Sequence, residues 1–103
     1  MSSCTSWWVY VVACDSRLYT GITTDVARRL RQHRSGGSSA ARFTRGARVI
    51  ELRYSASVGT RSLALRAEHR IKRLPRRDKL ALIRSAPAAD QLLQHLGLRP
   101  TET

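Results

Sequence analysis

The sequence predicts a small α+β domain, a three-stranded antiparallel sheet flanked by helices. Three observations carry this prediction. Short segments rich in aromatic and β-branched residues are followed by segments whose apolar residues recur at helical spacing. The first two strand-like segments are joined through Asp15-Ser16, the residue types of a tight hairpin. At 103 residues, with 42% hydrophobic and 25% charged side chains, the chain has a globular composition and enough length for one modest core.

The first strand is read over Trp7 to Ala13 and the second over Leu18 to Ile22. Pairing residue 14 with residue 17, or any register with an even loop, sets the faces. Val9 and Val11 then share a core face with Leu18, Thr20 and Ile22. The opposite face carries Trp8, Tyr10, Val12, Tyr19 and Gly21, so two tyrosines meet beside a glycine that leaves room for close approach.

Thr23-Thr24-Asp25 offers N-cap residues for a helix running to about Arg34, ended by Ser35-Gly36-Gly37. Val26 and Leu30 set its buried stripe. Arg29 and His33, four apart, stack along the edge of that stripe, while Arg28, Arg31 and Arg34 point elsewhere. Residues 35 to 48 read as an exposed Gly/Ser-rich loop carrying Arg42, Arg45 and Arg48, and Val49 to Tyr54 as the third strand.

Thr60 to Arg73 reads as the second helix. Leu63, Ala67, Ile71 and Leu74 share its inner face, Glu68 lies beyond the border, and Pro75 marks the break. Arg76 to Arg84 suggests a third helix with Leu80 and Ile83 inward. Ala86-Pro87-Ala88-Ala89 reads as a linker to a short amphipathic segment with Leu92, Leu93 and Leu96. The expected organisation is thus a domain over residues 1–85, then a linker and C-terminal segment over 86–103.

Charge narrows the function. The 19 Lys+Arg against 7 Asp+Glu leave a formal net charge of +12, and every cation except Lys72 and Lys79 is Arg. Residues 85–103 hold only Arg99 against Asp90 and Glu102, so the positive excess sits on the body of the domain. Arg presents a planar fork of donors to phosphate oxygens. Nucleic acid is the expected partner, with Arg28, Arg42, Arg45 and Arg48 as candidate contacts. No apolar run approaches the roughly 20 residues of a membrane span. The N-terminal Met1-Ser2-Ser3-Cys4 does not read as a secretory signal, and Cys4 and Cys14 match no metal or redox spacing. A cytoplasmic protein with two reduced thiols is expected.

The polar residues at the borders of these elements form a pattern. Trp8-Val9-Tyr10 is followed by Tyr19-Thr20-Gly21, then by Arg29 and His33, then by a helical Glu68 in Leu65-Arg66-Ala67-Glu68-His69-Arg70-Ile71-Lys72. Over residues 7 to 84 this resembles the GIY-YIG nuclease superfamily, in particular its small single-domain members. Two positions depart from the family pattern: Trp8 stands for the glycine of the first tripeptide and Thr20 for the isoleucine of the second.

The resemblance implies an endonuclease that hydrolyses DNA phosphodiester bonds with Mg²⁺ or Mn²⁺. So small a chain has little room for a sequence-reading domain, so structure-selective or weakly specific cleavage is expected. It implies Tyr10, Tyr19, Arg29, His33 and Glu68 as catalytic residues, with Glu68 as the metal ligand. The chemistry suits these residue types. A lone carboxylate can hold one Mg²⁺ when waters and the substrate phosphate complete the octahedron. Arg29 can clamp a phosphate, and either phenol can serve as base if its pKa falls well below about 10. His33 can take a proton from a tyrosine or from water. The sequence does not choose between Tyr10 and Tyr19.

Taken singly, each residue also has an ordinary role. Tyr10 and Tyr19 make a cross-strand aromatic pair, and Glu68 has Lys72 four residues on as an ion-pair partner. The alternative function is a non-catalytic binding module for DNA or RNA on the same scaffold. A basic adaptor docking through Leu92, Leu93 and Leu96 is the least supported.

Overall fold

The computed structural model describes residues 6–35 and 50–98. These form β1 (Trp7–Cys14), β2 (Arg17–Thr23), α1 (Val26–Ser35), β3 (Ile50–Gly59), α2 (Arg61–Lys72), α3 (Arg76–Ser85) and α4 (Ala89–His95). The three strands make one open antiparallel sheet in the order β2-β1-β3, so the fold is α+β with β1 at its centre.

The hairpin has the even register read from the sequence. Cys14 pairs with Arg17 and the ladder continues to Trp8 opposite Thr23. Asp15 takes φ 57° in the turn, a left-handed conformation that aspartate tolerates better than most residues.

Both sheet faces are covered. On one face Val9 and Val11 pack with Leu63, Ala64, Ala67 and Ile71 of α2 and with Leu92 and Leu93 of α4. This is the main core, and α4 is built into it: both leucines are buried at 1% exposure or less. On the other face Tyr10, Val12 and Cys14 form a second, smaller cluster with Ile50, and Leu30 of α1 packs against it. The face that the sequence left open around the tyrosines is therefore floored by apolar side chains.

Three sequence expectations need correction. The third strand does not stop at Tyr54 but runs to Gly59, and its pairing shifts between Val11 and Val12, with Arg53 left as the extra residue. One added residue moves the following side chains to the opposite face. Ile50 accordingly joins the smaller cluster while Tyr54, Ala56 and Val58 join the main core. Leu80 is not inward: it is 37% exposed, and Leu82 is the buried leucine of α3. That helix lies at the rim of the domain, where only a narrow stripe meets the core. His33 is not at the border of a buried stripe but fully buried, at 0% exposure.

The gap between α1 and β3 falls on residues 36–49, so Arg42, Arg45, Arg48 and the Gly36-Gly37 stop signal lie outside the described residues. Among the described residues no helix is long and apolar enough to cross a membrane. Cys14 is a buried free thiol whose pKa is pushed up by desolvation.

Candidate active site

Tyr10 stands at the middle of the central strand, directly opposite Gly21 on β2. The pairing matters because a Cβ at residue 21 would lie 2.5 Å from Tyr10 Oη. Glycine is what lets the phenol lie flat across its neighbour strand. Tyr19, on the same face and half-buried, places its ring centroid 6.4 Å from that of Tyr10.

The third member comes from α1. Asp25 caps this helix, its carboxylate accepting from the backbone N–H of Arg28 at 3.0 Å. Leu30 anchors the helix to the smaller core cluster, and His33 then enters between the two phenols. Its ring lies 5.9 Å from Tyr10 and 5.5 Å edge-on from Tyr19. Tyr10 Oη and His33 Nε2 are hydrogen-bonded at 2.9 Å in the interior.

Arg29, one turn before His33, also hydrogen-bonds to Tyr10 and lowers its pKa. A guanidinium only donates, so the phenol oxygen accepts from Arg29. Gln32 holds the arginine in turn, Nη1 donating to Oε1 at 3.0 Å. Gln32 was not among the residues singled out from the sequence, although its three-residue spacing from Arg29 on a helix is a signal for such a prop.

The electrostatics follow from burial. Desolvation pushes the Tyr10 phenol up to about 12, more than Arg29 pulls it down, and Tyr19 and Glu68 add to the rise. Arg29 therefore draws Tyr10 toward ionisation but is outweighed by burial. Burial, and then the charge of Arg29, lowers His33 to about 4. At neutral pH the site thus holds a protonated phenol hydrogen-bonded to a neutral imidazole. His33 has no exposed surface, so its ring is shielded from bulk water.

Glu68 reaches this group from α2, on the side of the sheet where β2 is the edge strand. Its Oε2 lies 3.3 Å from Lys72 Nζ, the ion pair anticipated from their spacing, and its side chain is 19% exposed. Lys72 in turn sits 5.8 Å from the Tyr19 ring centroid. Two phenols, an arginine, a histidine and a carboxylate from two strands and two helices therefore meet in one region. Arg28 is exposed on α1, next to it.

Among the described residues no three His, Cys, Asp or Glu side chains gather as a protein-only metal cage. A hard cation such as Mg²⁺ does not need one. It takes one or two carboxylates and fills its remaining positions with water and substrate phosphate oxygens. Glu68, partly exposed and paired with Lys72 through Oε2, is a carboxylate of the kind that demand requires.

The family model described as the GIY-YIG catalytic domain matches residues 6–81. A UPF0213 protein of Citrobacter koseri is 50% identical over 93 residues, covering 89% of this chain and 91% of its own. The UPF0213 protein YhbQ of Salmonella typhimurium (strain LT2) is 48% identical over the same shares. YhbQ of Escherichia coli O139:H28 is 47% identical, again over 89% and 91%. No solved structure gives a significant match.

Proposed function

The chain belongs to the GIY-YIG family, whose catalytic domains are of the nuclease type, and from that premise we propose that it is a divalent-metal-dependent DNA endonuclease of weak or structure-based selectivity. The observation that carries the reading is the buried Tyr10–His33 bond with Arg29 on the phenol oxygen and Glu68 close by. Hydrolysis of a phosphodiester needs a proton acceptor for water, positive charge on the phosphoryl oxygens and a stabilised leaving oxygen.

Each requirement has a residue. Tyr10 takes the proton of the attacking water as its own passes to His33 Nε2. The phenol thereby works as a base without ever standing as a phenolate, which its pKa of about 12 disfavours. His33, neutral at pH 7, receives that proton only transiently, because burial and the charge of Arg29 hold its pKa at about 4. Arg29, propped by Gln32, offers its remaining donors to a phosphate oxygen. Tyr19 packs edge-on against His33 and fixes its orientation. Glu68 would hold Mg²⁺ or Mn²⁺, which would supply positive charge to the phosphate and to the leaving oxygen. The partner is nucleic acid, DNA before RNA, met by Arg28 and by Arg42, Arg45 and Arg48.

Supercoiled plasmid and branched duplex incubated with Mg²⁺ test this reading. Nicking by the wild type that is lost in Glu68→Ala and Arg29→Ala is expected, and cleavage undiminished in both variants rejects it. A second reading, a non-catalytic binding module for DNA or RNA, is favoured by one observation, the engagement of Glu68 by Lys72. Under that reading no cleavage is seen, while Glu68→Ala binds nucleic acid as well as the wild type or slightly better.

A further inference from the structure

We infer that the arginine-rimmed cleft between the β1–β2 hairpin and α3 is a second nucleic-acid site, taking one unpaired nucleotide of the bound strand. The inference rests on the nucleic-acid partner proposed above, but not on catalysis. The cleft encloses about 360 Å³, at the small end of the range for ligand pockets. Four arginines from three elements line it: Arg17 of β2, Arg53 of β3, and Arg76 and Arg84 of α3. Asp15 is the one acid among the lining residues.

Arg53 is the extra residue of the β3 bulge, a device that re-aims a side chain. Its pairing with Glu51 is loose, at 3.8 Å between half-exposed groups, and among the described residues Arg76 and Arg84 form no ion pair. Such a rim suits a phosphate. The floor asks for more than phosphate. Leu80, Ile83 and Leu18 face the cleft, and Leu80 is left 37% exposed although it is large and apolar. A nucleobase covers such a floor while guanidinium planes stack on it.

The position is coherent with the candidate active site. Leu18 and Tyr19 are consecutive on β2, so their side chains leave opposite faces of the sheet. The cleft lies directly behind the tyrosine, and a single strand turning round the hairpin engages both faces.

The test measures binding of fluorescently labelled single-stranded DNA in EDTA, beside an abasic oligomer of equal length and charge. Arg76→Ala/Arg84→Ala is expected to weaken both ligands about tenfold and to reduce the salt slope by about 1.4, the value for two phosphate contacts on a single strand. Leu80→Ser is expected to weaken the base-bearing strand several-fold and leave the abasic one unchanged. The control Arg61→Ala/Arg73→Ala removes the same charge away from the cleft. Equal loss in the control, or no effect of Leu80→Ser on the base-bearing strand, overturns the inference. A wild type that binds neither ligand overturns it together with the proposed partner. All substituted side chains are exposed, and unchanged thermal midpoints verify that the variants are folded. Because no metal is present, an absence of cleavage has no bearing on the result.

Discussion

Tyr10 Oη lies 2.9 Å from His33 Nε2, and this buried bond ties the middle of the central strand to the last turn of α1. Removing the hydroxyl separates its structural and chemical roles. Tyr10→Phe leaves His33 Nε2 buried without a partner, which costs about 1–3 kcal/mol. It also removes the proton relay, so cleavage is expected to fall about a hundredfold or more. Urea unfolding gives the first quantity and plasmid nicking the second. Tyr19→Phe keeps the edge-on packing and is expected to lose far less activity, and the reverse ranking assigns the base to Tyr19.

Gly21→Ala probes the same phenol from the other side. The new methyl group falls 2.5 Å from Tyr10 Oη, so the ring must shift away from His33 or the strands must part. Overpacking of this kind costs about 1–3 kcal/mol. Chemical denaturation is expected to report that loss, accompanied by a drop in cleavage close to that of Tyr10→Phe. The double variant is expected to lose less than the sum of the two, since both act through one oxygen.

Stability is expected to depend on pH through His33. Its pKa drops from 6.5 in the unfolded chain to about 4 in the fold. Between these values the unfolded chain binds a proton that the folded one refuses, so stability falls as pH drops through the window, by up to about 3 kcal/mol. His33→Phe is expected to flatten this part of the profile, measured by thermal melts from pH 7 to pH 4. On the alkaline side Tyr10 and Tyr54 hold their protons up to about 12, so stability falls as pH rises above 10.

Particular residues mark how far the sequence could be read. The β1–β2 register was legible because a two-residue turn fixes it, and with it the meeting of Tyr10, Tyr19 and Gly21 on one face. The placing of Arg29 and His33 on one side of α1 followed from helical spacing alone. The depth of His33 did not, because burial depends on what packs over α1, and Ile50 of that cluster lies 17 positions further on, after the intervening loop. The second half of β3 was missed because Ser55, Ala56 and Ser57 carry a weak strand signal, and the Arg53 bulge breaks the alternation that would have revealed it. Leu80 was misplaced because a short peripheral helix shows the same periodicity whichever of its leucines turns inward.

Lys72 bears on the metal requirement. Its ammonium sits 3.3 Å from Glu68 Oε2, so a divalent cation arriving at that carboxylate competes with a cation already paired there. Partly exposed pairs of this kind contribute about 0.2–1 kcal/mol, which sets the size of the competition. Lys72→Met keeps the length of the side chain and removes the charge. Mn²⁺ binding, followed by electron paramagnetic resonance, is expected to tighten by about 1.4- to fivefold, the same energy expressed as a ratio. The Mg²⁺ concentration for half-maximal cleavage is expected to fall by a similar factor. Glu68→Gln in the same background is expected to abolish the gain. If Lys72→Met leaves Mn²⁺ affinity unchanged while Glu68→Gln also has no effect on it, the cation is held elsewhere, and Glu68 is an ordinary partner of Lys72.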